Sequence, residues 1–120
     1  MNTALWVGQI ALAGIFVASG SAKLVQSKDR LIATGQTGVA PFPLPVIRLT
    51  ATCELLAAAG LLLPWVTGIA SVLTPLAAIG VCVIMIGAAI SHALLHEPRN
   101  VALNLLIIAV ALAITVGRLR

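Results

Sequence analysis

The sequence predicts an all-α fold, a bundle of four transmembrane helices that forms one domain over residues 1–120. Hydrophobic residues make up 61% of the chain, only 8% are charged, and the mean hydropathy is +1.16. A soluble domain of this size could not bury that much apolar surface. Each of four apolar runs is long enough to cross a hydrocarbon core about 30 Å thick as a helix. These runs cover residues 3–24, 45–64, 69–95 and 101–116.

The basic residues predict the orientation of this integral, multi-pass membrane protein. The formal net charge is +4, but no basic helix or aromatic platform for nucleic acid is present, so we expect the charge to contact anionic headgroups. Because four spans leave both termini on one side, the positive-inside rule places loops 25–44 and 96–100 in the cytoplasm and the termini outside a bacterial inner membrane. The loop side carries Lys23, Lys28, Arg30, Arg48 and Arg99, and the termini side carries Arg118 and Arg120.

The first span is expected to be a retained helix with a polar seam. Its start lacks Lys and Arg, and its apolar run is longer than that of a signal peptide. Lys23 lies near the end of the span, where we expect its amine to snorkel to the headgroups. A direct pair with Glu54 is the alternative, although the helical rise places Lys23 nearer the surface. The seam, which should face the bundle interior, consists of Gln9, Leu12, Phe16, Ser19, Gly20 and Lys23.

Glu54 lies at the middle of the second span, where an ionised group costs about 3 kcal/mol on insertion scales. Small residues share its face and allow another helix to approach closely, so Glu54 should face protein. It is interpreted either as a proton carrier, ligand anchor or gate, or as a structural carboxyl that is neutral or paired. Arg48 lies about 120° away around the helix and should not pair with it. The face comprises Ile47, Thr50, Ala51, Glu54, Ala57, Ala58 and Leu61.

The connections between the spans differ in length and composition. In the long loop, residues 31–37 predict a short interfacial helix, whereas the proline-rich residues 38–45 cannot be helical throughout. This loop is either a lid over one end of the bundle or a connector at headgroup level. The uncharged turn 64–68 predicts a tight hairpin between the second and third spans, with Trp65 as an interface anchor.

The third span carries features that predict a kink and an interface. Pro75 should kink the helix, and Thr74 could compensate for the lost hydrogen bond. Gly80 and Gly87 lie nearly opposite the face of His92. We expect a homo-oligomer through these glycines, because small residues permit close helix approach. The alternative is that they accommodate a neighbouring helix of the same chain.

Four polar residues are expected to meet in a pocket that opens toward the loop side. Lys23, His92 and Asn104 should lie near one surface, with Glu54 deeper in the membrane. These four are the candidate ligand-binding residues. Catalytic residues are not identified, but Glu54 and His92 are candidates for proton handling. The alternative for His92 is a helix-end residue in contact with headgroup water.

The cysteines and histidines indicate neither redox nor metal chemistry. Cys53 and Cys82 lie in apolar segments without a CxxC motif and are expected to be small buried hydrophobes. His92 and His96 have the i, i+4 spacing of a metal pair, but no third ligand is near in sequence. We therefore predict no metal site.

Several motifs in order resemble the DoxX-like family of small four-helix membrane proteins. They are Phe16-x-x-x-Gly20-x-x-Lys23-Leu24, then Glu54-Leu55-Leu56 followed by Gly60-Leu61-Leu62-Leu63, then Gly87-Ala88-x-x-Ser91-His92 and Glu97-Pro98-Arg99. The resemblance covers nearly the whole chain. It implies kinship with a subunit associated with thiosulfate:quinone oxidoreductase, with accessory proteins of other redox systems, and with chaperones and cargo receptors of secretory membranes. Lys23, Glu54 and His92 match the polar pattern of the family.

The combined observations predict an accessory or binding protein. It would hold a lipophile, quinone-like or isoprenoid-like, or a membrane-protein partner, around the Glu54 pocket. One alternative is a quinone-linked membrane oxidoreductase or its subunit, and another is a small proton-coupled transporter. The half of the bundle near the termini is almost wholly apolar apart from Gln9, which disfavours a pore. Bilayer lipid and a second copy of the chain are the other expected partners, and nucleic acid is not.

Overall fold

The fold is an all-α bundle of four long helices, as the sequence predicts. The structure is a computed structural model and describes residues 2–119. Four of its helices are long and apolar enough to cross a membrane, and a short helix and a 3-10 turn lie in the first connection. The elements are α1 (Asn2–Val25), α2 (Lys28–Ala33), the 3-10 turn (Thr37–Val39), α3 (Leu44–Thr67), α4 (Leu73–Leu94) and α5 (Pro98–Leu119).

The helices pack side by side around a narrow core. α1 packs on α3, α3 on α4 and α4 on α5, and α5 returns to contact α1. At most 33% of the most apolar stretch of each span is buried within the protein, so lipid must cover the remainder. The core consists mainly of Leu5, Leu12, Phe16, Ala57, Ala58, Leu61, Ala78, Val81, Met85, Ala111 and Ile114.

Small residues set the distance between α3 and its two neighbours. A Cβ added at Gly20 would lie 3.0 Å from the carbonyl oxygen of Ala51, so α1 and α3 nearly touch there. A Cβ added at Gly60 would lie 2.8 Å from the Cβ of Ala77, so α3 and α4 are equally close. Contacts of this kind are how membrane helices associate without a hydrophobic driving force between them.

The turn between α3 and α4 lies later in the chain than predicted, and two prolines near it have different effects from those expected. α3 continues through Pro64 to Thr67 and ends at Gly68, whose φ of 73° forms a left-handed cap. Pro64 cannot donate to the carbonyl oxygen of Gly60, and the Thr74 hydroxyl donates to it instead, at 2.9 Å. The predicted kink at Pro75 was wrong, because α4 begins only at Leu73 and Pro75 lies in its first turn, where no helical bond is lost.

The first connection is a folded cap on the bundle. α2 begins at Lys28, three residues before the predicted helix, because the Ser27 side chain caps it by accepting from the Arg30 N–H at 3.2 Å. Leu31, Val39 and Ile47 form a second small core beneath the cap. The connection is therefore packed against the helices, as the lid interpretation requires.

The glycines of α4 do not accommodate a neighbouring helix of the same chain. A Cβ added at Gly80 or at Gly87 would meet nothing within 4 Å. That alternative was wrong, and Gly87 instead borders a cavity described below. Homo-oligomerisation through this face stays a prediction.

Candidate functional site

A cavity of about 380 Å³ lies between α3 and α4. Lys23, Glu54 and His92 line it, so the structure brings together three of the four predicted ligand-binding residues. Residues 35–42, here called the roof segment, cover its polar end. Apart from Lys23, Glu54 and His92, the lining is mostly apolar and includes Val39, Phe42, Val46, Ile47, Leu49, Cys53, Val83, Ile84, Met85, Gly87 and Ala88.

Lys23 and Glu54 form an ion pair within the bundle. Lys23 Nζ lies 2.6 Å from Glu54 Oε1, and the Glu54 side chain is completely buried. The expectation that Lys23 snorkels to the headgroups was therefore wrong. The close crossing of α1 and α3 at Gly20 lets the long lysine side chain reach Glu54 despite their different depths. Arg48 does not pair with Glu54, as expected, and its Nη1 donates to the carbonyl oxygen of Lys23 at 2.5 Å.

The second carboxylate oxygen of Glu54 is left without a partner. Oε2 is buried, and no donor within residues 2–119 forms a hydrogen bond with it. A buried acceptor without a hydrogen bond costs about 1–3 kcal/mol, and more when it is charged. Glu54 also lines the cavity, so a bound molecule that reached this buried oxygen would supply the missing donor.

A latch of three hydrogen bonds holds the roof segment against the end of α4. The Ser91 hydroxyl donates to the carbonyl oxygen of Gly38 at 2.7 Å. Glu97 Oε1 lies 2.7 Å from His92 Nδ1 and accepts from the Thr37 hydroxyl at 2.8 Å. The bond with His92, and then the bond with Thr37, lowers the pKa of Glu97 below its usual value. His92 therefore lines the cavity and belongs to the latch, and no sequence pattern indicates its partners.

Asn104 does not line the cavity, contrary to expectation. Its Nδ2 lies 3.5 Å from the sulfur of Met85, and Met85 stands between Asn104 and the cavity. The potential histidine pair is also absent, because His96 lies beyond the last residue of α4 and is exposed. Within residues 2–119, no three His, Cys, Asp or Glu side chains are close enough together to hold a metal ion.

The cavity reaches the lipid-facing surface of the bundle. Leu49 on α3 is 65% exposed and Val83 on α4 is 66% exposed, and both line the cavity. Cys53 is also exposed at this surface, so the expectation that it is buried was wrong, whereas Cys82 is buried as expected. Since exposed apolar surface on membrane-spanning helices faces acyl chains, the cavity communicates with the bilayer interior.

A second polar cluster lies at the opposite end of the bundle, around Arg118. The Arg118 side chain is buried, and it donates from Nε to Gln9 Oε1 at 2.7 Å and from Nη1 to Asn2 Oδ1 at 2.6 Å. Its guanidinium lies 4.4 Å from the Trp65 ring centroid and 5.5 Å from that of Trp6. The expectation that only Gln9 is polar in this half was wrong. The long Arg side chain turns inward, where two amide oxygens and two aromatic faces stabilise it.

Comparison with known proteins agrees with this architecture. A family model described as the DoxX-like family matches residues 7–114, from the first turns of α1 into the last turns of α5. Neither the curated proteins nor the solved structures that were compared give a significant match. Because the family model spans most of the sequence, and four helices of the structure can cross a membrane, the chain is a small multi-pass membrane protein that belongs to the DoxX-like family.

Proposed function

We propose that this protein is an accessory or binding protein that holds a lipophilic small molecule between α3 and α4, within the membrane. The observation that carries the proposal is the position of the Lys23–Glu54 ion pair, which lies in a cavity with otherwise mainly apolar walls. A cavity of about 380 Å³ falls within the range typical of small-molecule sites. Such sites usually combine apolar walls with a few polar groups that orient the ligand.

The apolar and the charged residues of the cavity would bind different parts of the ligand. Apolar side chains such as Ile47 and Val83 would pack against the hydrocarbon part of the molecule. Lys23 and Glu54 would fix its polar head, and the roof segment would separate that head from water. A ligand dissolved in the bilayer could arrive between Leu49 and Val83, without crossing the roof segment.

A quinone-linked membrane enzyme subunit is the second candidate function. His92 lines the same cavity as Glu54, so two groups that can carry protons flank one lipophilic site. A quinone ring and the start of its tail suit the size of the cavity and its apolar walls, and a quinone would supply the redox chemistry when bound. This chain would position the ring and exchange protons at Glu54 and His92.

A transporter is less well supported by the arrangement of polar groups. The Arg118 cluster lies at the end of the bundle that carries the termini, and the Lys23–Glu54 pair lies deeper, toward the loop side. Between them the core is formed by apolar side chains, including Leu12 and Leu61, which are at most 2% exposed. A polar path across the membrane would have to open through this layer.

We also propose that the termini face outside a bacterial inner membrane and that the roof segment lies on the cytoplasmic side. The excess of basic residues on the loop side supports this orientation. It can be tested with Ser27→Cys and Asn2→Cys, each made after Cys53 and Cys82 are replaced by Ala. An impermeant maleimide added to intact cells should label only the Asn2→Cys protein, and labelling of only the Ser27→Cys protein would reverse the assignment.

The binding proposal is tested by mass spectrometry of lipophiles that copurify with the protein. Gly87→Phe would place a ring at the border of the cavity, and Gly80→Phe would place the same ring on α4 away from it. A Cβ at either glycine meets nothing within 4 Å, which makes the two variants a matched pair. We expect a stoichiometric lipophile with wild type and Gly80→Phe, and its loss with Gly87→Phe.

Three results would contradict the binding proposal. No lipophile beyond bulk membrane lipid with wild type would remove its basis. Equal retention by the Gly87→Phe variant would place the molecule elsewhere. A stoichiometric partner chain without a lipophile would favour the alternative in which the protein holds a membrane protein.

A further inference from the structure

We propose that the cavity selects a molecule whose polar head is a neutral hydroxyl group, which makes lipophilic alcohols and phenols the ligand class. This inference rests on the proposed function, because it assigns the head of the molecule bound beside Glu54. It goes beyond that function by separating hydroxyl heads from carbonyl, ether and charged heads.

One oxygen of the Glu54 carboxylate is left to accept a hydrogen bond from a ligand. Oε1 binds Lys23 Nζ, whereas Oε2 is buried and has no donor within residues 2–119. A carboxylate can only accept hydrogen bonds, so only a molecule that carries a donor can satisfy Oε2. A carbonyl or ether oxygen would direct lone pairs at the carboxylate and leave Oε2 without a partner.

Lys23 has hydrogen-bond donors to spare. Its ammonium carries three hydrogens, and the described residues provide a side-chain acceptor for one of them, Glu54 Oε1. A hydroxyl group can donate to Glu54 Oε2 and at the same time accept from Lys23 Nζ. One small neutral group therefore matches both members of the ion pair.

The charges of Lys23 and Glu54 also favour a ligand with an uncharged head. A cationic head would be repelled by Lys23, and an anionic head would be repelled by Glu54, in a site where little water screens either interaction. A neutral head avoids both penalties. Since the cavity also opens between Leu49 and Val83 toward acyl chains, the expected ligand is a hydrocarbon with a single hydroxyl group that resides in the bilayer.

The test uses two probes that differ by one methyl group, 4-octylphenol and its methyl ether, 4-octylanisole. Binding of each probe to the purified full-length protein in detergent is titrated by native mass spectrometry. A hydrogen bond to a charged group corresponds to about a ten-fold or larger difference in Kd. We therefore expect wild type and Gly80→Phe to bind the phenol at least about ten-fold more tightly than the ether.

Two variants check the location and the cause of this preference. Gly87→Phe should weaken binding of both probes, because it fills the cavity that they share. Glu54→Gln should reduce the preference for the phenol, because a neutral amide oxygen is a weaker acceptor than a carboxylate. The wild-type ratio alone decides the proposal even if the Glu54→Gln protein does not assemble.

The outcomes separate this inference from the proposed function. Equal affinity of wild type for the two probes, with loss of both in Gly87→Phe, would overturn the hydroxyl assignment and leave lipophile binding standing. Binding of neither probe, or binding that Gly87→Phe leaves unchanged, would contradict both. Tighter binding of the ether would also overturn the assignment, because it would mean that Glu54 Oε2 does not recruit a donor.

Discussion

The imidazole of His92 packs directly against Gly38, so that a Cβ built on Gly38 would lie 2.9 Å from His92 Nε2. The absence of a side chain at residue 38 lets the roof segment approach α4 closely enough for the Ser91 hydroxyl to reach the Gly38 carbonyl oxygen, at 2.7 Å. The fit of the roof segment on the cavity therefore depends on one missing methyl group.

Gly38→Ala is expected to displace the roof segment or the His92 ring. Overpacking of this kind typically costs about 1–3 kcal/mol. Thermal unfolding in detergent should show a lower Tm than wild type. Gly80→Ala is the matched control, because its methyl group meets nothing within 4 Å and alanine favours the helix. A Gly38→Ala protein as stable as Gly80→Ala would show that the roof segment is not held closely against α4.

Glu97→Gln is expected to change how the stability of the protein depends on pH. Hydrogen bonds from His92 and Thr37 lower the pKa of Glu97 in the folded state below the usual value of 4.5. A lowered carboxyl pKa stabilises the folded state above the unfolded pKa, and this contribution is lost as the pH falls through the lower folded pKa. The Tm of wild type should exceed that of Glu97→Gln from about pH 5 upward, and the difference should shrink below about pH 4.

The matched control for this prediction is Asp29→Asn, which removes an exposed carboxylate outside the latch. It should leave the pH dependence close to that of wild type. A Tm difference between wild type and Glu97→Gln that persists unchanged into strong acid would contradict the role assigned to the Glu97 carboxylate.

Thr74 and Pro64 are expected to be energetically coupled. The Thr74 hydroxyl donates to the Gly60 carbonyl oxygen because Pro64 has no N–H to offer it. Thr74→Val should reduce the free energy of unfolding by about 1–2 kcal/mol, and Thr74→Ser should largely preserve it. In the Pro64→Ala background residue 64 regains its N–H, so Thr74→Val should cost less. A double-mutant cycle with strictly additive costs would refute this coupling.

Gln9→Leu is expected to be more harmful alone than with Arg118→Met. The single change removes the acceptor of the buried Arg118 Nε and should cost about 2–4 kcal/mol, because it leaves a buried cation with an unsatisfied donor. Adding Arg118→Met removes that donor and should recover part of the loss. Unfolding by denaturant in mixed micelles measures both effects. A double variant less stable than Gln9→Leu would mean that Arg118 stabilises the bundle by other contacts, such as those with Trp65.

That Glu54 faces the bundle interior could be predicted from the sequence, because this direction depends on the periodicity of a single helix. Helical periodicity and small residues placed Glu54 inside, and it is fully buried. The partnership with Lys23 depends on how two helices cross. Rise along each helix gave different depths for the two residues, but it did not show that α1 and α3 nearly touch at Gly20. The seam on α1 was predicted for the same reason as Glu54, and Gln9, Leu12, Phe16 and Gly20 are buried.

The rest of the site involves contacts between distant segments that periodicity does not encode. Thr37 and Glu97 meet only because the first connection folds back over the end of α4. Asn104 was expected in the pocket from its depth alone, but the side chain of Met85 separates it from the cavity. Arg118 was expected only as a charge on the side of the termini, and its contacts with Gln9 and Trp65 join residues that are far apart in the sequence.

The cavity is proposed to hold a specific lipophile rather than bulk lipid, and photo-crosslinking in native membranes tests this binding most directly. A benzophenone amino acid would replace Val83, which lines the cavity, or Ile79, which lies one turn away on α4 outside it. We expect Val83→benzoylphenylalanine to capture one lipophile of defined mass, and Ile79→benzoylphenylalanine to capture phospholipids in proportion to the membrane. The same mixture of phospholipids at both positions would show that the cavity holds only bulk lipid.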